Sequence, residues 1–201
     1  MIAIVNYGCG NLQAIANIYK RLGIPVTLAS TASELQSADR IILPGVGAFD
    51  WAMKRLNDSG MRDTLDAAAA SKPILGICVG MQMMAESSEE GTVPGLGWIR
   101  GSVRRFDLSA STQRTRLPHM GWNDVRPRAE AGLFAGLAES RFYFLHSYYF
   151  QPADPSTVRC ETEYHSTFAS GVGDANAHGV QFHPEKSHHW GIRLLKNFSE
   201  L

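Results

Sequence analysis

The sequence predicts an α/β fold: a mostly parallel central sheet flanked by helices, with a smaller antiparallel sheet segment. Three observations carry this. Short apolar runs alternate with helix-length stretches through the first half of the chain, glycine-rich turns follow directly on the apolar runs, and beyond about Gly95 the pattern changes to two-residue alternation between turn signals.

Taken in order, Ile2 to Val5, Val26 to Ala29, Ile41 to Leu43 and Ile74 to Ile77 read as buried strands. They are near-continuous apolar runs, as a strand covered on both faces requires. Leu12 to Leu22, Phe49 to Leu56 and Met61 to Ala70 read as helices between them. Parallel strands need crossovers of this kind, so the alternation implies a parallel sheet. In such sheets ligands bind beyond the carboxyl ends of the strands, which makes the residues after each apolar run the place to look for chemistry.

From about Gly95 to Tyr164 the stretches Val103 to Phe106, Met120 to Val125, Phe142 to Leu145 and Val158 to Glu161 read as antiparallel strands, and Asp107 to Arg116 as a solvated loop. Val180 to Phe182 offers one more strand. A final helix follows, with Trp190, Leu194, Leu195 and Phe198 on one face. No repeat or low-complexity linker divides the chain, so residues 1–201 read as one domain, and 44% hydrophobic residues suffice for its core.

Composition removes several classes of function. Nineteen basic and nineteen acidic residues cancel, leaving no electrostatic footprint for nucleic acid or an anionic membrane. The apolar run Ile74 to Met81 is far short of the roughly 20 residues of a bilayer span. Met1 to Val5 has no basic lead and reads as a strand, not a signal peptide, so a cytoplasmic protein is expected. Cys9, Cys78 and Cys160 are odd in number and widely spaced, which points to neither a disulfide framework nor a zinc site. His119, His146, His165 and His178 lack ligand spacing and His188 and His189 are adjacent, so neither metal nor cofactor is expected. Gly8-Cys9-Gly10 lacks the third glycine of a dinucleotide fingerprint, and Asn11 behind it reads as a helix N-cap.

The sharpest local signal is Gly76-Ile77-Cys78-Val79-Gly80, between a buried strand and the apolar Met81 to Met84. This is the nucleophile-elbow pattern with Cys in place of Ser: flanking glycines clear space for a strained residue whose side chain enters the cleft. The N–H groups and dipole of a following helix favour the thiolate, and the Val79 amide is placed to meet a bound carbonyl oxygen. A base and its orienter appear at His183-Pro184-Glu185. In an extended chain residues two apart point the same way, roughly 6.5 Å apart at about 3.3 Å per residue, so the carboxylate can hold the imidazole from behind. Acyl transfer needs a second oxyanion donor, and Pro44-Gly45-Val46-Gly47 follows the third strand, where a backbone amide faces the same cleft. Each piece alone is commonplace. A buried structural Cys, a surface turn and an ordinary strand-to-helix turn would explain them one at a time.

Together the elbow Gly-Ile-Cys-Val-Gly-Met-Gln at Gly76 to Gln82 and the closing Phe-His-Pro-Glu-Lys-Ser at Phe182 to Ser187 resemble the class I, triad-type glutamine amidotransferases. Tyr7 to Leu12, Leu43 to Phe49, Gly95 to Gly97, Pro118 to Asn123 and His146 to Tyr149 narrow the resemblance to the glutaminase subunits of imidazole glycerol phosphate synthases. The resemblance implies that Cys78 is the nucleophile, His183 the base and Glu185 its orienter, with Val46 and Val79 amides in the oxyanion hole. It implies that Gln82, Glu90, Ser147 and Tyr148 grip the amino-acid end of L-glutamine. It places Asn11, Trp122, Tyr143 and Lys186 at the interface with a (β/α)8 cyclase that receives ammonia through an internal channel and makes imidazole glycerol phosphate and AICAR. His188-His189-Trp190 replaces small residues near that face, so a relative serving a surface-polysaccharide amidino-sugar synthase stands as the alternative. A stand-alone cysteine hydrolase and a non-catalytic regulatory subunit are the remaining readings.

Overall fold

The aliphatic runs of the first half form β1 (Ile2–Val5), β2 (Val26–Ala29), β3 (Arg40–Gly45) and β4 (Ile74–Cys78), in a computed structural model that describes residues 1–107, 109 and 116–201. Helices α1 (Leu12–Arg21), α2 (Ala32–Gln36), α3 (Phe49–Asp58) and α4 (Arg62–Ala69) connect them, and the single turn α5 (Val79–Gln82) follows β4. The second half supplies β5 (Ser87–Ser88), β6 (Gly101–Arg105), β7 (His119–Pro127), β8 (Ser140–His146), β9 (Tyr148–Pro152), β10 (Val158–Glu163), β11 (Thr167–Asp174) and β12 (Ala177–Val180) before the closing helix α6 (His188–Glu200). The loop expected from Asp107 to Arg116 falls largely outside the described residues.

The main sheet runs β2-β1-β3-β4-β12-β11-β10-β7-β8, with β9 branching from β11 to carry β6 and β5. The pairings from β2 to β12 are parallel. From β12 onward the path to β8 is antiparallel. β1 and β4 are buried along their whole length, as aliphatic runs under two helical layers should be. β2 differs: it is the edge strand, so Leu28 is exposed where a buried strand was expected. The core continues under both halves, with Phe142 stacked on Phe182 at 3.9 Å and the Tyr19 hydroxyl tying α1 to α6 through the Leu195 carbonyl at 2.9 Å.

Several elements depart from the sequence reading, β5 and β9 among them, which were not anticipated. The last parallel strand ends at Val180 and does not run to Phe182, because its partner β4 stops at the residue beyond the Val180–Ile77 pair and turns away into the elbow. The strand β11 was not anticipated. Its Thr-Phe-Ala-Ser-Gly-Val-Gly-Asp sequence is poor in β-formers, and Gly171 is required because a Cβ there would stand 2.6 Å from the Cys160 sulfur. The short α2, opened by a Thr31–Glu34 capping box, was not anticipated.

Candidate active site

The elbow is built on a seam of glycines. Gly45 of β3 pairs with Cys78 of β4, and a Cβ on Gly80 would sit 2.0 Å from the Leu43 carbonyl oxygen. A Cβ on Gly45 would likewise meet the Gly80 nitrogen at 2.3 Å, so the turn can press onto β3 only without side chains. Cys78 itself takes φ +56° and ψ −114°, the strained left-handed conformation of an elbow nucleophile. The helix behind it is one turn long, so orientation comes from the N–H groups of that turn and less from a summed dipole than the sequence implied.

His183 arrives from the other side of β4. It forms an isolated bridge to Tyr143 and donates from Nδ1 to Glu185 Oε1 at 2.8 Å, with both side chains almost wholly buried. The route differs from the extended one expected: Pro184–Lys186 is a 3-10 turn, which folds the carboxylate back under the ring. With Nδ1 committed to Glu185, Nε2 is the nitrogen left for chemistry at the sulfur. Burial alone would lower the imidazole pKa, but interactions with Cys78 and Glu185 outweigh it and raise it to about 10, which suits the ring to accept a proton. The resting Cys78 thiol also has a weak contact to the Leu145 carbonyl at 4.0 Å.

Cys78, His183, Val46, Gly47 and Val79 line one cleft of about 360 Å³ together with Gln82, Glu90, Ser147 and Tyr148. The residues singled out in the sequence for catalysis and substrate binding therefore meet in a single site, except Glu185, which stands behind the His183 ring and reaches the cleft only through it. Tyr7 donates its hydroxyl to the Pro44 carbonyl at 2.6 Å and the Cys9 thiol donates to the Val46 carbonyl at 3.4 Å, so the loop after β1 anchors the loop after β3. Cys9, which sequence reasoning left without a role, is buried there, and that burial raises its pKa. Gln82 spends its NH2 on the Tyr148 carbonyl and on Gln181, so its oxygen is the atom available to a ligand's ammonium. Glu90 accepts the Phe49 N–H at 2.9 Å, capping α3 while its carboxylate borders the cleft.

Three of the residues expected at a partner interface gather beside the cleft, and one of them, Lys186, also lines it. Trp122 and Tyr143 are cross-strand partners on β7 and β8, and Lys186 lies over the Tyr143 ring at 5.4 Å. Asn11 occupies the N-cap of α1 but makes no capping hydrogen bond, contrary to the sequence reading, which leaves its exposed side chain free.

Two groups were missed. His119 and His146, paired across β7 and β8, hydrogen-bond to each other at 3.0 Å inside the core, and burial lowers their pKa values to about 4 and about 3. Gln181 is fully buried with its Nε2 at 3.7 Å from the Cys78 sulfur. Its signal was present: a lone amide inside the apolar Val180-Gln181-Phe182 run, two residues before His183.

The glutamine amidotransferase class-I family model matches residues 3–200. The chain is 56% identical to the imidazole glycerol phosphate synthase subunit HisH of Bdellovibrio bacteriovorus and 47% identical to that of Leptospira interrogans, each over 100% of both chains. Among solved structures it is similar to a glutamine amidotransferase with a TM-score of 0.75 at 20% identity, covering 100% of this chain and 98% of that one. It is also similar to PurLQS from Thermotoga maritima, with a TM-score of 0.74 at 17% identity, covering 99% and 97% of the two chains. At those identities the structures show the fold alone. The triad cleft and the full-length relatives agree: the chain belongs to the class I glutamine amidotransferases and, within them, to the HisH subunits of imidazole glycerol phosphate synthase.

Proposed function

We propose that residues 1–201 act as one glutaminase domain that hydrolyses L-glutamine to glutamate and ammonia and delivers the ammonia to a (β/α)8 cyclase subunit making imidazole glycerol phosphate and AICAR in histidine biosynthesis. The meeting of Cys78 and His183 in one cleft, with Glu185 hydrogen-bonded to the imidazole from behind, carries this reading. The His183 imidazole takes the thiol proton and the sulfur attacks the carboxamide carbon. Amides of Val46 and Val79 receive the developing oxyanion. On collapse the C–N bond breaks, His183 protonates the leaving nitrogen and ammonia departs, leaving a γ-glutamyl thioester. His183 then deprotonates a water that attacks the thioester, and glutamate leaves as the thiol is restored. Gln82, Glu90, Ser147 and Tyr148 hold the substrate's amino-acid end.

Ammonia released into neutral water is largely protonated and no longer nucleophilic, so a docked acceptor that excludes water gives the reaction its use. The face beside the cleft suits such docking. Met120 opposes Leu145 and Trp122 opposes Tyr143, so the four share one side of the β7–β8 ladder, with Met120 65%, Trp122 37% and Leu145 39% exposed. Leu145 also borders the cleft, which makes the docking face and the ammonia source contiguous. Asn11, Tyr143 and Lys186 complete the interface of the heterodimer. Among the described residues no helix is long and apolar enough to cross a membrane, and with zero net charge this supports a cytoplasmic complex.

The test is a complex with the cyclase subunit supplied with either glutamine or ammonium. Cys78→Ala is expected to lose glutamine-dependent synthesis by roughly a thousandfold or more, as removal of a triad nucleophile does, and to keep the ammonium-dependent rate. Retention of the glutamine-dependent rate by this variant overturns the assignment.

A further inference from the structure

Two side-chain amides stand behind the nucleophile, and only one of them borders the cleft. Gln82 Nε2 lies 3.1 Å from the Tyr148 carbonyl and 3.0 Å from Gln181 Oε1, while Gln181 Nε2 lies 3.7 Å from the Cys78 sulfur. The carbonyl decides which way both amides point. A main-chain carbonyl can only accept, so the Gln82 atom beside it is the NH2. That NH2 can only donate to Gln181, which must turn its oxygen toward Gln82 and its own NH2 toward the sulfur.

The same carbonyl is fixed from the opposite side. His146 Nδ1 lies 2.7 Å from it and carries the hydrogen, so His146 Nε2 accepts from His119 Nδ1 at 3.0 Å. His119 Nε2 then accepts from Asn123 Nδ2 at 3.2 Å, and that NH2 is itself set by the Glu163 carbonyl at 2.8 Å. Every bond has one allowed direction. Both imidazoles stay neutral well below physiological pH because burial disfavours their charged forms, so the order survives across the working range.

We infer that Gln181 is a positioning residue for the nucleophile: its fixed N–H supports the Cys78 thiolate and its oxygen holds the Gln82 amide at the substrate's subsite. The inference rests on Cys78 being the nucleophile. Gln181 is fully buried and does not line the cleft, so it acts through Cys78 and Gln82. A thiol can donate to the Leu145 carbonyl; once its proton passes to His183 the sulfur can only accept, and the Gln181 N–H is the donor already in place. A long N–H···S contact is weak to the thiol and strengthens as charge develops, which is the differential interaction that lowers a barrier.

Gln181→Met keeps the length and removes the donor. In the full chain the pH midpoint for alkylation of Cys78 by iodoacetamide, located by mass spectrometry, is expected to rise by about one unit, with kcat for glutamine hydrolysis falling about tenfold and ammonium-dependent synthesis unchanged. A Gln181→Met profile that superposes on wild type overturns the proposal. A second readout needs no Gln181 variant: in the wild-type chain the Gln181 side-chain NH2 resonances should shift with Cys78 ionisation and stay still in Cys78→Ala, and resonances that never move refute it independently. Cys78→Ser separates the two ideas. If that variant still hydrolyses glutamine at the wild-type rate the nucleophile assignment fails, whereas an inactive Cys78→Ser beside an unshifted Gln181→Met profile removes only the positioning role.

Discussion

The two halves of the sheet solve the burial problem in opposite ways. In β1, β3 and β4, among the described residues, the buried side chains are apolar, and the close contacts are made by glycine against backbone. In β7, β8, β10 and β11 the core includes His119, Ser140, His146, Thr162 and Ser170, which must find partners inside the protein. Most do: Thr162 donates to Ser170 at 2.8 Å and the two histidines pair at 3.0 Å. The parallel half is thus held by shape, and the antiparallel half by shape together with hydrogen-bond direction. The active site lies where they join, with the sulfur from the first and the groups that orient Gln82 and Gln181 from the second.

The sharpest way to break the first half is to fill its seam. Gly80→Ala would place a methyl 2.0 Å from the Leu43 carbonyl oxygen, in backbone that cannot yield without separating the elbow from β3. A loss of about 3 kcal/mol or more in urea unfolding is expected, together with lost glutaminase activity, as overpacking at its upper end does. A stability within 0.5 kcal/mol of wild type, roughly the scatter of an inert surface change, would show that the seam is not tight.

That contrast also governs what could be read from the sequence. β1 was legible to the residue, and β3 and β4 nearly so, because a strand under helices announces itself as an unbroken aliphatic run; the bounds of β2 were also read correctly, though as a buried strand where it is an edge. The elbow at Cys78 was legible because Gly76-Ile77-Cys78-Val79-Gly80 encodes a turn that only glycine permits. β9 and β11 were not: Thr167–Asp174 takes its place from pairing across the chain and carries little propensity of its own, while the β-forming Tyr148, Tyr149 and Phe150 begin two residues after the end of β8, so the break between two strands was hidden. The histidine pair escaped for the same reason: His119 and His146 are 27 residues apart, and only the β7–β8 register sets them face to face. The turn that unites His183 with Glu185 was hidden behind an extended reading of His-Pro-Glu that gave the right partners by the wrong path.

A smaller effect probes the outer face of the second half. Trp122 stands 37% exposed, its ring parallel to His188 at 5.2 Å and packed near Tyr143 and Trp190. These neighbours hold the indole in place before any partner arrives, so little ordering remains on binding. Trp122→Ala is expected to weaken binding of the cyclase subunit by about 2 kcal/mol, roughly thirtyfold in Kd by titration calorimetry, with ammonium-dependent synthesis preserved at saturating partner. Unchanged affinity would move the docking surface elsewhere.

The finest test is the pH dependence of stability, because the buried histidine pair of the second half and His183 at the join contribute to it with opposite signs. His119 and His146 have folded pKa values lowered by burial, to about 4 and about 3, against an ordinary value of 6.5. Below 6.5 the unfolded chain takes up their protons while the folded one does not, so their stabilisation is complete above that pH and is lost as pH falls toward 4. The limiting slope is about 1.4 kcal/mol per pH unit for each histidine. His183 runs the other way: its raised pKa gives stability that is complete below 6.5 and is lost as pH climbs toward 10. The windows do not overlap. His178, also lowered by burial, adds to the acid side in wild type and variant alike. Urea unfolding of His119→Phe at pH 6.5, 5.5 and 4.5 should therefore lose stability less steeply than wild type by up to about 1.4 kcal/mol per unit, even though the variant is less stable at pH 7 for want of the hydrogen bonds to His146 and Asn123. Parallel slopes would mean that the buried pair protonates as freely in the folded protein as in the unfolded chain, and the fixed direction of the hydrogen bonds behind the nucleophile would be lost with it.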